Sequence, residues 1–160
     1  RREEVLPVFE RLGDVRAKAI TMSQIADILQ ARGQLDEALR IRREEELPVF
    51  ERLGDVREKA IAMGKIADIL QARGQLDEAL RILSEEVQPA FERMGDVHAL
   101  LVCRTKLAQI YAMRGHEVDR TEIESLLRAA HAAAQEIRLP EARRIAGIYR
   151  DIFGHGLDEE

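Results

Sequence analysis

The sequence predicts an all-α fold, a solenoid built from antiparallel helix pairs. Residues 42–82 repeat residues 1–41 with five differences, and a third, more divergent copy begins at Leu83. Self-similarity at a period of 41 residues is typical of repeat proteins, in which each unit buries its apolar face only against its neighbours. Hydrophobic residues make up 46% of the chain and aromatic residues only 4%, which favours helix packing through Ala, Leu and Ile over a sheet.

Each copy is expected to hold two helices joined by tight corners. Apolar residues at helical spacing predict a first helix from about Val15 to Arg32, which Gly33 ends. A second helix follows from about Leu35 to Leu53. At about 27 Å each, the two can pack antiparallel over their whole length. The residues that keep the spacing are Pro7, Pro48 and Pro89, then Gly13, Gly54 and Gly95, and finally Gly33, Gly74 and Gly115.

The corner between successive pairs is predicted at Gly54-Asp55 and, one copy earlier, at Gly13-Asp14. Glycine suits the left-handed position that ends a helix, and aspartate is a good N-cap for the next one. The same pair of residues returns at Gly95-Asp96. We therefore expect three equivalent corners.

Pro48 falls inside the second helix and recurs as Pro7 and Pro89. An interior proline removes one backbone hydrogen bond and costs about 3 kcal/mol or more. The recurrence leaves two alternatives, a kink built into every unit or a break into two shorter helices. The kink is favoured because apolar residues resume helical spacing over residues 49–53.

One repeat domain is predicted over residues 1–160. Residues 1–13 are interpreted as a partial helix of a preceding unit. This leaves two alternatives, a fragment of a longer array or a unit whose first half has been lost. The fragment is favoured because terminal repeats normally carry an atypical capping sequence, and this end carries an internal one. An insertion at His116–Thr121 and the replacement of the Gly-Asp corner by Leu139-Pro140 are typical of a C-terminal cap. The predicted segments are helix pairs at 14–54, 55–95 and 96–139, a capping helix at 140–154 and a tail at 155–160, frayed from Leu157.

The partial helix at the N-terminal end carries Val5, Leu6 and Phe9 without a predicted partner. Their apolar side is expected to be exposed, and exposed apolar patches favour association. This predicts a homo-oligomer through the open N-terminal end.

The overall charge and composition exclude several classes of function. The net charge is −5, and no basic stripe typical of nucleic-acid binders is present. No run of about 18 apolar residues could span a membrane, and no signal peptide is recognisable. Cys103 is the single cysteine and cannot form an internal disulfide, so a reducing cytoplasm is the simplest location.

The copies resemble tetratricopeptide repeats (TPRs), helix–turn–helix units with a period of about 34 residues. The resemblance covers essentially the whole chain and implies a right-handed, TPR-like superhelix. The longer period is similar to that of kinesin light chain and of many bacterial arrays joined to NTPase or protease domains. The residues that carry it are Ile66, Ala67, Leu70, Gly74 and Ala79 in the second copy, Ile25, Ala26, Leu29, Gly33 and Ala38 in the first, and Leu107, Ala108, Tyr111 and Gly115 in the third.

Two positions depart from the pattern of this family. Arg42 stands where a large packing residue is usual, and Glu46 follows one turn later, whereas the next copy has Leu83 and Val87 there. The favoured interpretation is an Arg42–Glu46 pair on a solvated flank. The alternative is a polar seam that fixes the register of stacked repeats.

The sequence offers no convincing catalytic, metal or cofactor site, and an enzyme is not predicted. Cys103 occupies the position of Thr21 and Ala62, which indicates a small, partly buried helix residue. The phosphate-binding class is excluded because the recurring glycines mark only helix corners. The four histidines lack metal-ligand spacing; they are His98, His116, His131 and His155.

One face of each first helix stays polar or small, and in TPR proteins this face lines a concave groove that holds a partner peptide. Two of the five differences between the first copies fall there. The carboxylate-clamp activity of chaperone-binding members is not carried over, because Asp27 and Asp68 stand where Asn is expected. The predicted groove residues are Ser23, Gln24, Asp27 and Gln30, then Gly64, Lys65, Asp68 and Gln71, and finally Thr105, Lys106, Gln109 and Met113.

The resulting hypothesis is a protein-interaction scaffold that binds a protein or peptide ligand in this groove. One alternative is an assembly element that stacks end to end with copies of itself. Another is the sensor region of a larger signalling NTPase or protease. Neither nucleic acid, membrane nor cofactor is expected as a partner.

Overall fold

The computed structural model describes the backbone of residues 2–137 and 140–157, and the side chains of residues 11–137 and 140–157. Over these ranges the chain is helical and contains no strand, which confirms the predicted all-α class. None of these helices is long and apolar enough to cross a membrane. By its internal contacts the chain divides into two units, residues 1–73 and residues 74–160.

The first unit contains helices α1 (Arg2–Ala31), α2 (Leu35–Ile41), α3 (Leu47–Leu53) and α4 (Val56–Ala72). A π-helical turn, Arg42–Glu46, joins α2 to α3 without leaving helical geometry. Both α1 and α4 pack against this α2–π–α3 segment, which therefore lies between the two first helices. Phe50, Ile66 and Leu70 are buried in this core.

The second unit begins with α5 (Leu76–Ile82), a second π-helical turn (Leu83–Val87) and α6 (Gln88–Met94). These pack on α7 (Val97–Arg114), which is followed by a 3-10 turn at Glu117–Asp119. Helix α8 (Arg120–Glu136) packs on α7, and α9 (Glu141–Phe153) packs on α8.

The π-helical turns explain how proline is tolerated inside the second helix of each pair. The amide of Leu47 donates to the carbonyl of Arg42, five residues back, and Gln88 donates to Leu83 in the same way. The wider turn gives room to the ring of the following proline, which has no amide to donate. Backbone dihedrals stay right-handed through both turns, so the predicted alternative of a break is not observed.

The Gly-Asp corners form at two of the three predicted positions. Gly54 adopts φ +66°, and the Asp55 carboxylate accepts a hydrogen bond from the Glu58 amide at 3.0 Å. Gly95 and Asp96 repeat this geometry, with the Ala99 amide as donor at 3.0 Å.

The third corner, predicted at Gly13-Asp14, is wrong. Helix α1 runs through both residues without interruption. A glycine inside a helix costs only about 1 kcal/mol relative to alanine, so local sequence does not force a turn. Elsewhere the corner is supported by packing between the helices that flank it, as between α3 and α4.

The tail also differs from its prediction. Leu157 is buried, and its carbonyl oxygen accepts a hydrogen bond from Arg128 Nη1 at 3.2 Å, so it is not frayed. Residues 158–160, like Arg138 and Leu139 of the predicted final corner, lie outside the described residues.

Candidate functional site

The polar faces of α1 and α4 belong to the first unit. Gln24 and Asp27 are exposed on α1, whereas the other predicted residues of this surface are half-buried. Gly64 lies in the interior of α4 with ordinary helical backbone, and a Cβ atom built on it would meet nothing within 4 Å. The half-buried residues are Ser23, Gln30, Gly64, Lys65, Asp68 and Gln71.

Asp27 joins three segments of this unit. Lys65 Nζ on α4 donates to its two carboxylate oxygens at 3.0 and 3.1 Å, and Arg42 Nη2 from the π-helical turn donates to Oδ1 at 2.5 Å. Partial burial acts to raise the pKa of Asp27, but the hydrogen bonds from Arg42 and Lys65 outweigh it, and the pKa is lowered. Asp27 is therefore an ionised structural link as well as a surface residue.

Arg42 is completely buried, so the predicted solvated flank is wrong. Its Nη1 donates to Glu46 Oε2 at 2.9 Å, and its Nη2 lies 3.4 Å from Gln30 Oε1. Glu46 is only 2% exposed. The two side chains form a buried polar seam between α1 and α4. Leu83 and Val87, their equivalents in the next copy, are buried as well, and that equivalence was the signal in the sequence for burial here.

The polar face of α7 belongs to the second unit and departs from its prediction at one residue. Thr105 is buried, and its hydroxyl donates to the carbonyl of Leu101 at 2.9 Å, so it does not contribute to an open surface. Lys106 and Gln109 are half-buried, and Met113 is 57% exposed.

A cluster around Arg114, at the end of α7, was missed in the sequence. Arg114 Nε and Nη2 donate to the two oxygens of Asp119 at 2.9 and 2.7 Å, and Nη1 donates to Asp77 Oδ1 at 3.0 Å. The guanidinium also lies 5.3 Å from the centre of the Tyr111 ring. The insertion after His116 supplies Asp119, so the insertion was the available signal.

The histidines do not converge on a common centre. His98 Nε2 lies 3.1 Å from Glu141 Oε1, and His155 Nδ1 lies 3.0 Å from the carbonyl of Gly156. Among the described side chains, no group of three or more His, Cys, Asp and Glu is placed to hold a metal ion.

Cys103 is buried on α7, and its Sγ lies 3.8 Å from the carbonyl of Leu83. Burial raises the pKa of this thiol to about 12. We expect no reaction with a thiol reagent such as DTNB at pH 8 in the folded protein, because only the thiolate is nucleophilic. Reaction should appear when denaturant is added.

A matched control is Thr21→Cys, two repeat periods earlier, where the native side chain is exposed. That variant should gain one thiol that reacts at the rate of a free cysteine. Rapid labelling of Cys103 in the folded wild type would contradict the burial described here.

Comparison with known families supports a repeat protein. Residues 18–88 match the family model described as tetratricopeptide repeat. No curated protein matches the chain. The matched residues cover the C-terminal part of α1 from residue 18 onward, the α2–π–α3 segment, α4, and α5 with the second π-helical turn. This part of the chain is therefore TPR-like, and such repeats are non-catalytic scaffolds that generally mediate protein–protein interactions.

Proposed function

We propose that this TPR-like chain binds a segment of another protein along the polar faces of its first helices. The observation that carries the proposal is the open space above Gly64 on α4. Its neighbour Lys65 supplies a polar group on α4, and Gln24 is exposed on the polar face of α1. Packing in the described part of the chain does not require a glycine at this position, so the space is available to a ligand that approaches the helix closely.

Sequence differences between the copies support the same face. The first two copies differ at only five positions, and two of the differences place Ser23 against Gly64 and Gln24 against Lys65. None of these four residues is fully buried, so the differences change what the polar face presents without changing the core. Equivalent faces that present different side chains can discriminate between partner segments.

The chemistry of the surface favours a mixed-charge segment with a few apolar anchors. Asp27 and Lys65 present opposite charges that already contact each other, so a ligand would have to offer both signs in register with this pair. In the second unit, the polar face of α7 separately offers Met113 as an exposed, adaptable apolar contact. Partly exposed charges of this kind mainly steer association and set specificity.

Asp27 is unsuitable as the position at which to test binding, because reversing its charge would place a cation beside buried Arg42. Gly64→Gln avoids this difficulty. Glutamine is a better helix former than glycine by roughly half a kcal/mol or more, so the free energy of unfolding should not fall. The longer side chain should occupy the open space and weaken binding at least tenfold, about 1.4 kcal/mol.

The measurement uses peptides selected from a displayed random library against the wild-type chain, then titrated against both proteins by fluorescence anisotropy. The control is Glu44→Gln, on the π-helical turn, where the carboxylate is exposed and lies 3.4 Å from Arg40 Nη1. This control should bind the peptides like the wild type. Equal binding by Gly64→Gln would place the ligand elsewhere and overturn the proposed surface.

We also propose a type of repeat array and a cellular location for this chain. A likeness to the long-repeat arrays of kinesin light chain is supported by the 41-residue period. A cytoplasmic location is supported by the single, buried cysteine.

A further inference from the structure

A stripe on α1 exposes side chains whose equivalents in the later copies are buried. We call Thr21, Ile25 and Ile28 the α1 stripe; Ile25 is 39% exposed and Ile28 is 54% exposed. One period later, Ile66 and Ile69 are 3% and 0% exposed. The remaining equivalents are Ala62 on α4, and Cys103, Leu107 and Ile110 on α7, all of them buried.

The repeat itself shows what covers this stripe in the later copies. In the first unit, α4 packs on the α2–π–α3 segment that precedes it. In the second unit, α7 packs in the same way on α5, the second π-helical turn and α6, and Cys103 Sγ lies against the carbonyl of Leu83 from that turn. The cover is therefore the second helix of the preceding pair in both cases.

The basic residues of α4 that pair with the two ends of its covering segment have equivalents on α1. On α4, Lys59 Nζ lies 3.7 Å from Glu51 Oε1, and Arg73 Nη2 lies 3.6 Å from Asp36 Oδ1. Both acidic partners belong to the covering segment. Lys18 and Arg32 are the equivalents of the two basic residues on α1, and both are exposed. Because residues 18, 21, 25, 28 and 32 follow helical spacing, these two cations lie along the same face as the α1 stripe.

We propose that the α1 stripe is a docking site for one further amphipathic helix, supplied by another polypeptide segment, with the chemistry of residues 35–53. Its apolar side would cover Ile25 and Ile28, an acidic residue near its start would meet Arg32, and one near its end would meet Lys18. The copy of residues 35–53 within this chain is already packed between α1 and α4, so a second copy of the chain cannot offer it without opening. This proposal is independent of the polar face in the proposed function.

The probe is a fluorescent peptide with the sequence of residues 35–53, titrated against the full 160-residue chain by anisotropy, with a scrambled peptide as reference. We expect saturable binding of the peptide with the sequence of residues 35–53 and no binding of the scrambled peptide. Ile25→Asp with Ile28→Asp should weaken it at least tenfold, while circular dichroism should show that the exposed substitutions leave the fold intact.

Two controls separate this site from the alternatives. Val118→Asp changes another exposed apolar residue, 84% exposed on the 3-10 turn, and should leave peptide binding unchanged. Gly64→Gln, which tests the polar face, should also leave it unchanged.

Absence of binding at millimolar peptide would overturn the proposal. Binding that is unchanged by the Ile25 and Ile28 substitutions would also overturn the proposal. In that case the peptide would have displaced residues 35–53 of the chain from α4. Sedimentation of the chain alone as a dimer that these substitutions dissociate would assign the stripe to self-association instead.

Discussion

Replacing Arg42 with alanine should lower the free energy of unfolding by about 3–5 kcal/mol, the cost of breaking a buried ion pair by removing one partner. Glu46 is 2% exposed and would keep a buried carboxylate without its cation. Asp27 and Gln30 would lose the same guanidinium. Urea denaturation followed by circular dichroism measures the change, with the slope of the transition as a check on two-state behaviour.

The control for this loss is taken from the next copy. Arg42→Leu with Glu46→Val reproduces Leu83 and Val87, which fill the equivalent positions and are buried there. Apolar replacement of a whole buried pair is often neutral or stabilising. The double variant should therefore unfold within about 1 kcal/mol of the wild type or above it. If the double variant were as unstable as Arg42→Ala, the Arg42–Glu46 pair would contribute net stability that apolar side chains cannot replace.

Leu70→Ala should cost about 2–5 kcal/mol, the range for a fully buried leucine that leaves a cavity. Leu70 is 1% exposed on α4, in the core of the first unit. The same denaturation experiment measures the loss. A change below about 0.5 kcal/mol, typical of surface sites, would mean that this face of α4 does not pack as described.

Leu29→Ala, exactly one repeat period earlier, is the matched control. Its local sequence is the same, but Leu29 is only half-buried, so less apolar surface returns to water and the loss should be clearly smaller than for Leu70. Helical spacing alone predicts that Leu29, like Leu70, belongs to the core, and the half-buried Leu29 shows that this prediction is wrong. Similar losses at the two positions would indicate that α1 is covered on both sides in solution.

The contrast between Leu29 and Leu70 shows where sequence reasoning succeeds and where it stops. Helix positions and the corner at Gly54 follow from local chemistry, namely apolar spacing, glycine at a left-handed position and an aspartate cap. Gly13-Asp14 has the same local chemistry, yet α1 continues through it. Helix ends depend on tertiary packing as well as propensity, and packing differs between identical sequences at different places in an array.

The candidate surface was predictable only in part for a related reason. Helical periodicity selects the face on which a side chain lies, but not what the side chain binds within the fold. Thr105 lies in the predicted register and yet is buried, with its hydroxyl bonded to Leu101. Residue type alone made Arg42 look solvent-exposed, whereas its place opposite Leu83 in the repeat was the better guide. The side chains of Val5, Leu6 and Phe9 lie outside the described residues, and pairing through them stays a prediction.

The seam at Arg42 also gives the first unit a sensitivity to acid at a position where the second unit has only apolar side chains. The pKa of Asp27 is lowered in the folded state, so this carboxylate contributes stability above its unfolded pKa of about 3.9 and loses it as the pH falls through the folded value. Protonation would deprive a buried guanidinium of one of its anions. The equivalent position in the second unit is Leu83, which has no charge to compensate. Amide hydrogen exchange should therefore show residues 14–72 losing protection as the pH falls through the folded pKa of Asp27.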